Sequence, residues 1–255
     1  MSERWPEGSA IRERLSGLGF AWVEAAKVVA STNDLGLEAA RRGEPGPGAV
    51  VAREQQAGRG ARGRSWASPP GGLWLTLVLE APAARLLPWL GLGVGAAGAL
   101  AVREVCGVAA GVKWPNDIRA GGGKLGGVLV ETAAGRAVVG IGLNANNTAP
   151  LPEARSLREL AGGPVKLAAL AGEVAGRVLE CQRLLAAGQW QAVRAQWSSL
   201  DALAGQWAVV ETQGGVREVK CLGVTATGTL ACRERDGSRC ELAAGSRLRP
   251  ACLPG

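Results

Sequence analysis

The chain has 255 residues, 47% of them hydrophobic and 20% charged, a composition typical of a soluble globular protein. Lysine and arginine number 29 against 22 acidic residues, a formal net charge of +7, which favours anionic ligands or partners. There is no histidine. This excludes Ser-His-Asp and Cys-His catalytic systems, histidine-ligated metals and imidazole bases. Any chemistry must therefore use lysine, arginine, carboxylates, amides and backbone N–H groups.

Neither an export signal nor a disulfide framework is visible. Residues 1–17, MSERWPEGSAIRERLSG, lack an apolar signal core, so we expect a cytoplasmic protein that is not inserted in a membrane. The uncharged run 86–102 contains a proline and four glycines and is typical of a buried helix rather than a membrane span. The six cysteines form no C-x-x-C pair and are expected to be reduced, without a zinc site from Cys221, Cys232, Cys240 and Cys252.

The first 200 residues predict a mixture of strands and helices. Strands are expected within 20–30 and at 50–55, 72–80, 112–118, 124–134 and 137–146; helices are expected from a Ser31 or Thr32 cap to about Arg42, and near 86–106, 166–187 and 189–200. The last three strands are joined by short glycine turns. They therefore predict an antiparallel meander.

From about Asp201 the pattern changes to short strands separated by GG, TG and DG turns. These turns predict a small all-β module. We expect two domains, 1–200 and 201–255.

The loop GRGARGR at 58–64 interleaves arginines with glycines. It could be a solvated surface loop, a nucleic-acid-binding segment, or a loop that closes over a small anion. The loop is single and short, and it lies between two apolar strands. This arrangement favours a small anion, which backbone N–H groups and guanidinium groups would bind together.

Three other motifs are individually ambiguous. GGGKL at 121–125 fails the Walker pattern, because Leu125 replaces the required Ser or Thr and Ile118 stands at the first glycine position. KWPND at 113–117 and STN at 31–33 are each consistent with ordinary turn or cap chemistry. Lys124, beside two glycines in an apolar strand, is compatible with a ligand close to the sheet.

Their order is more informative than any one of them. STN, QQAGRGARGRSW, GLWLTL, KWPNDI, KLGGVLVE and GIGLN follow one another over residues 31–144. This series resembles the biotin protein ligases, and the stretch from GQWAVVE to GSRLRP resembles their terminal SH3-like β-barrel. The resemblance implies an α+β fold, with a mixed, antiparallel-rich sheet like that of class II aminoacyl-tRNA synthetases and helices packed on it.

The resemblance also implies the reaction. Biotin and ATP would form biotinyl-5'-AMP, with Mg²⁺ accompanying the triphosphate, and the biotinyl group would pass to a lysine of a biotin carboxyl carrier protein of acetyl-CoA carboxylase or a similar enzyme. Lys124, Asp117 and Arg59 are implied as catalytic. The implied biotin-binding residues are Ser31, Thr32, Asn33, Gln55, Gly58, Arg59, Gly60, Ala61, Lys124 and Gly127. The nucleotide-binding residues are Arg62, Arg64, Trp66, Lys113, Asn116, Asp117 and Asn144, and Asp117 would also serve as a metal ligand.

Two departures from the family pattern matter. About 20 residues precede the first predicted strand of the catalytic region, too few for a winged helix, so we expect no sequence-specific DNA binding. The family loop carries an arginine where this chain has Ala61, and Arg62 follows one place later. Lipoate ligases, which share the fold, and a basic RNA-binding module remain the alternatives, and the sequence leaves homodimer formation open.

Overall fold

The computed structural model describes residues 5–212, 215–244 and 246–250. Its first part contains α1 (Pro6–Ser16), β1 (Trp22–Val29), α2 (Thr32–Arg41), β2 (Gly48–Gln55), β3 (Leu73–Glu80), α3 (Leu87–Cys106), β4 (Gly111–Lys113), β5 (Asp117–Ala120), β6 (Gly123–Ala133), β7 (Arg136–Leu143), α4 (Leu157–Leu160), α5 (Leu167–Ala186) and α6 (Trp190–Ser198). The second contains β8 (Trp207–Thr212), β9 (Gly215–Val224), β10 (Leu230–Glu234), β11 (Arg239–Leu242) and β12 (Arg247–Pro250).

The first seven strands form one sheet in the order β1-β2-β3-β7-β6-β5-β4. Only β1 and β2 pair in parallel, and all other neighbours are antiparallel. The predicted meander is confirmed, and so is the α+β, antiparallel-rich fold class. The predicted strand 112–118 is wrong in one respect. It splits into β4 and β5, which pair with each other across residues 114–116, because proline cannot donate to a ladder and Asn favours a turn.

Helices cover both faces of this sheet. On one face α2 packs closely, with Gly36 against the side chains of Thr76 and Val138. On the other face lies α3, whose Gly98 approaches Ile118. Within the described residues, the segment Ala84–Cys106 is the one helix long and apolar enough to span a membrane, and 72% of its 18-residue apolar stretch is buried. The prediction of a buried core helix is therefore confirmed.

Helix α1 was missed in the sequence. It begins at Pro6, in the first-turn position that proline favours. Only Ile11 and Leu15, one turn apart, bury large apolar side chains, so its periodicity is too weak to be recognised. The predicted helix start at Ser31 or Thr32 is confirmed, but the Ser31 side chain makes no capping hydrogen bond.

The last five strands form a second, antiparallel sheet in the order β11-β10-β9-β8-β12, as the predicted SH3-like module requires. It is joined to the first part by indole donors: Trp89 Nε1 donates to Ala226 O at 2.9 Å, and Trp114 Nε1 donates to Gly228 O at 3.0 Å. The boundary at residues 200/201 stays a prediction. The five described cysteines are free thiols, and Cys252 lies outside the described residues.

Candidate active site

A cavity of about 230 Å³ opens on the α2 face of the seven-stranded sheet, between the start of α2, the loop 58–66 and strands β6 and β7. Its lining is polar at the α2 end and apolar along the sheet, where Trp74 and Leu129 contribute. A small cavity with one polar end and one apolar wall suits a ligand with a polar head and a hydrocarbon part.

The polar end is a hydrogen-bonded network of buried side chains, which we call the floor: Thr32, Asn33, Gln55, Ser68 and Thr76. Gln55 Oε1 accepts from the backbone N–H of Thr32 at 2.8 Å and from its hydroxyl at 3.0 Å, and Gln55 Nε2 donates to Ser68 Oγ at 2.7 Å. Thr76 Oγ1 lies 2.8 Å from both Thr32 Oγ1 and Asn33 Oδ1. Except for Gln55, these side chains are at most 5% exposed, so the network is fixed before any ligand binds.

The loop 58–66 covers the cavity and is held by Arg59. Its guanidinium donates to Asp34 Oδ1 at 2.7 Å and to Glu131 Oε1 at 2.6 Å. Hydrogen bonds to Asp34 and then Glu131 raise the pKa of Arg59 above its ordinary value. Glu131 also accepts from Asn33 Nδ2 at 3.1 Å. The loop is thereby connected to the floor through a carboxylate.

Trp66 closes the other end of the loop. Its indole lies against the backbone of Gly142, and a side chain at that position would collide with the ring. The nitrogen of Trp66 is buried and has no hydrogen-bond partner among the described residues. The Lys124 ammonium lies 5.0 Å from the ring centroid, within the range of a cation–π contact. Glycine in β7 therefore makes room for an aromatic support beside the lysine.

Lys124 belongs to a short chain of charges at the mouth of the cavity. Its ammonium lies 2.6 Å from Asp117 Oδ1, and Lys113 Nζ lies 3.4 Å from Asp117 Oδ2. Burial lowers the pKa of Lys113, and the Asp117 charge offsets part of that effect. One carboxylate between two ammonium groups leaves a net positive site, which suits a ligand that brings its own negative charge.

Comparison with known proteins shows what this arrangement resembles. Residues 25–146, just under half of the chain, match the model of the biotin/lipoate A/B protein ligase family. The chain is 34% identical over 163 residues to a biotin–[acetyl-CoA-carboxylase] ligase of Mycobacterium tuberculosis, covering 59% of this chain and 61% of that protein. A ligase with the same name from Paracoccus denitrificans is 41% identical over 144 residues, covering 54% of this chain and 59% of the relative.

The alignments thus span about three fifths of the length of these two ligases. Among solved structures, a biotin protein ligase from Aquifex aeolicus, in complex with biotin and ATP, matches with a TM-score of 0.80 and 26% identity, over 91% of this chain and all of that one. The uncovered part of this chain is shorter than the second sheet, so the match reaches both sheets.

Most of the residues that the resemblance implies lie together in the structure. The following line the cavity: Ser31, Thr32, Asn33, Gln55, Arg59, Gly60, Ala61, Arg64, Trp66, Asn116, Lys124 and Gly127. Asp117 forms an ion pair with Lys124, which lines the cavity, and Lys113 forms an ion pair with Asp117. Gly127 faces the Trp66 ring, so the space left by this glycine is taken by an aromatic side chain. The individual roles of these residues stay predictions.

Besides Asp117 and Lys113, three implied residues lie outside the cavity lining. Gly58 packs against Trp66 O and Ser68 Oγ and so supports the loop from behind. Asn144 is 2% exposed and accepts from Asn147 Nδ2 at 3.1 Å. Arg62 has a left-handed backbone with φ 64° and donates to the carbonyls of Ala244 and Ser246 at 2.7 and 2.9 Å. The arginine after Ala61 is therefore directed to the second sheet rather than to the cavity.

A magnesium ion bound by Asp117 fits these contacts poorly. Both carboxylate oxygens already face ammonium groups. Within residues 5–212, 215–244 and 246–250, no cluster of three or more His, Cys, Asp or Glu side chains could hold a metal. We therefore derive no step through a metal, and the assignment of Asp117 as a metal ligand stays a prediction.

Sequence reasoning missed the side chains that support the site: Asp34, Ser68, Thr76 and Glu131. Thr76 carried a readable signal, because it is the one polar residue within the apolar strand segment 73–79, and a buried hydroxyl needs a partner. Asp34 and Glu131 lie 97 positions apart and meet only through Arg59. No local pattern could connect them.

Proposed function

We propose that the protein is an ATP-dependent biotin ligase that makes biotinyl-5'-AMP and transfers the biotinyl group to a lysine of a biotin carboxyl carrier protein. The observation that carries this proposal is the position of Lys124. Its ammonium stands at the mouth of the cavity, oriented by Asp117 and by the Trp66 ring, between the floor and the arginine loop.

The floor suits the ureido ring of biotin. Ser31, Thr32 and Gln55 offer hydroxyl and amide groups at the polar end of the cavity. Gln55 Nε2 has a second hydrogen beyond the one it donates to Ser68. The apolar wall of Trp74 and Leu129 would contact the thiophane ring and the valeryl chain. The acid group would then extend toward Lys124.

In the first step a carboxylate oxygen of biotin attacks the α-phosphorus of ATP, the bond from that phosphorus to the bridging oxygen breaks, and pyrophosphate leaves. Two anions must approach each other, so the protein's task is to neutralise charge. Lys124 supports this step next to the carboxylate, and Arg59, Arg64, Lys113 and Asn116 supply further donors around the phosphates. Trp66 is proposed to act on the nucleotide side, and Arg62 and Asn144 stay predictions there, since both lie outside the cavity lining.

In the second step the carrier lysine attacks the acyl carbon of the adenylate and AMP leaves. The incoming amine must be neutral and lose a proton as the amide forms. Asp117 is the carboxylate next to Lys124 and is our candidate to accept that proton. Lys124 would stabilise the negative charge that develops on the acyl oxygen and on the departing phosphate.

The proposal also covers the location of the enzyme, its protein partner and its preference for biotin. We infer a cytoplasmic enzyme whose partner is the carrier protein of acetyl-CoA carboxylase or of a similar biotin-dependent enzyme. Pocket chemistry favours biotin over lipoate, because lipoate has no ureido group to satisfy the polar floor.

The test is biotin-dependent exchange of pyrophosphate into ATP. We expect exchange with biotin and none with lipoate, and we expect retention of radiolabelled biotin in the presence of ATP. Exchange with lipoate alone would assign the chain to the other branch of the family. If the protein instead retains mixed RNA and shows no exchange with either acid, it is a basic RNA-binding module and not a ligase.

A further inference from the structure

Three cysteines stand side by side on the inner face of the second sheet. Cys221 on β9 lies opposite Cys232 on β10, and Cys232 lies opposite Cys240 on β11. Directly opposite residues project from the same face of a sheet. We call these three residues the cysteine row. The described part of the chain contains two other thiols, Cys106 on α3 and Cys181 on α5, and neither belongs to this sheet.

A β-bulge brings Cys221 into the row. The register of β9 against β10 shifts between Ala231 and Cys232, so Leu222 is the extra residue, and its side chain is 43% exposed. Without the bulge Cys232 would lie opposite Leu222. A bulge changes the direction of neighbouring side chains, and here it directs Cys221 toward Cys232.

The three thiols differ in their access to solvent. Cys221 and Cys232 are 0% exposed, whereas Cys240 is only partly buried. A hydrogen bond from the Cys232 thiol lowers the pKa of Cys221 against the opposing effect of burial, and it raises the pKa of Cys232. Burial raises the pKa of Cys240. Because the thiolate is the reactive form, an oxidant in solution reacts slowly, and it meets Cys240 first.

Cys232 and Cys240 are close enough for a disulfide. Cα atoms directly opposite each other in an antiparallel ladder are about 4.5 or 5.5 Å apart, and disulfides usually join Cα atoms about 4.4–6.8 Å apart. We propose that Cys232 and Cys240 form a reversible oxidative modification site that reacts with hydrogen peroxide. Disulfides of this kind in a reducing compartment are usually transient. This inference does not depend on the proposed function.

Oxidation takes two steps. Cys240 loses its proton and attacks one oxygen of the peroxide, the O–O bond breaks, and the leaving hydroxide takes up the proton to give water and a sulfenic acid. The Cys232 sulfur then attacks the Cys240 sulfur, the S–O bond breaks, and the Cys232 proton leaves with the hydroxide as a second water. Cys221 accepts the hydrogen bond from Cys232 and can hold that proton during the attack. Two electrons pass from the two thiols to the peroxide, and a dithiol reductant reverses the change.

Tryptic peptides distinguish the possible products. Trypsin cleaves after lysine and arginine, so Cys221 and Cys232 share the peptide 221–233, whereas Cys240 lies in the peptide 240–247. The full-length protein is treated with hydrogen peroxide, alkylated in denaturant and run on a non-reducing gel. The monomer band is then digested and analysed by mass spectrometry. We expect the two peptides to be joined, and dithiothreitol to separate them.

Variants test the order of events. Cys240→Ser should slow the oxidation of Cys232 at least about tenfold, because a fully buried thiol is reached only after local opening. Cys232→Ser should give no joined peptides and should leave Cys240 to proceed to sulfinic acid. Serine at this buried position introduces a hydroxyl, so Cys232→Ala is measured beside it. The control is Cys106→Ser, which removes another partly buried thiol and should leave the joining of the peptides within about twofold of wild type.

Several outcomes overturn the proposal. One is a wild-type protein in which Cys240 passes to sulfinic acid while Cys232 stays a thiol. Another is a disulfide confined to the peptide 221–233, and a third is joining found only in a dimer band. Equal rates of Cys232 oxidation in wild type and in Cys240→Ser would also overturn it, because Cys240 would then not be the residue that the peroxide meets first.

Discussion

The floor and the rim of the candidate site are built in opposite ways. The floor consists of neutral side chains that are almost fully buried and hydrogen-bonded to one another. The rim consists of charged groups around the cavity mouth, and the Arg59 and Asp34 side chains there are 39% and 44% exposed. A buried network is costly to break, whereas an exposed ion pair contributes little to stability. The floor, which is proposed to bind the biotin ring, is thus a rigid part of the molecule. The rim, whose charged groups are proposed to act in the reaction, can adjust its positions.

The largest expected effect is on the rate of pyrophosphate exchange and comes from a substitution in the rim. Lys124→Ala should lower biotin-dependent pyrophosphate exchange by at least about 100-fold, because a donor aimed at developing charge in a desolvated site contributes roughly 2.7–4 kcal/mol. The free energy of unfolding should change little, since Lys124 is partly exposed. Lys166→Ala, an exposed lysine before α5, is the control. Exchange within about threefold of wild type in Lys124→Ala would remove Lys124 from the mechanism.

A substitution in the floor should, in contrast, lower the stability of the protein. Gln55→Ala leaves the Thr32 N–H without its partner and removes one hydrogen bond from each of the Thr32 and Ser68 hydroxyls. We therefore expect a loss of about 1–3 kcal/mol in the free energy of unfolding, measured in urea. The KM for biotin should rise as well. The neighbouring Gln56 is exposed, and Gln56→Ala should be neutral in both assays. If the two variants unfold alike, the network does not stabilise the floor.

The same contrast separates what the sequence predicted from what it did not. Ser31, Thr32, Gln55 and Lys124 were predictable because each lies in a contiguous motif, and the strands carrying the motifs had clear apolar patterns. The partners of these residues were not. Ser68 reaches Gln55 through the return of the loop, and Glu131 reaches Arg59 across the sheet. Such contacts depend on strand order, which places β7 between β3 and β6, and on charges far apart in the chain.

A smaller effect should follow from loosening the loop. Asp34→Asn removes one of the two carboxylates that hold Arg59, an exposed pair for which about 0.2–1 kcal/mol is typical. We therefore expect trypsin to cleave within residues 59–64 up to about fivefold faster, with global stability nearly unchanged. Glu38→Gln removes an exposed carboxylate of the same helix, 3.9 Å from Arg42. Equal cleavage rates in the two variants would show that Asp34 does not restrain the loop.

The smallest effect concerns Ala61, where the family has an arginine. The flanking Gly60 and Gly63 leave the backbone adaptable enough for Arg62 to take the place of that arginine. In the structure the Arg62 guanidinium instead donates to the carbonyls of Ala244 and Ser246. Ala61 lines the cavity and contributes only a methyl group. We expect biotinyl-adenylate to escape and acylate exposed lysines nearby.

Ala61→Arg should therefore lower the labelling of a bystander protein, incubated with enzyme, biotin and ATP, by about twofold, the scale of one exposed ionic contact. Arg62→Gln tests the alternative. If Arg62 only ties the loop to the second sheet, its loss should raise labelling in wild type and in Ala61→Arg alike, whereas an Arg62 that compensates for Ala61 would matter only where residue 61 is alanine. Equal bystander labelling by wild type and Ala61→Arg would mean that residue 61 is neutral, and that the adenylate is retained by Arg59 and Arg64.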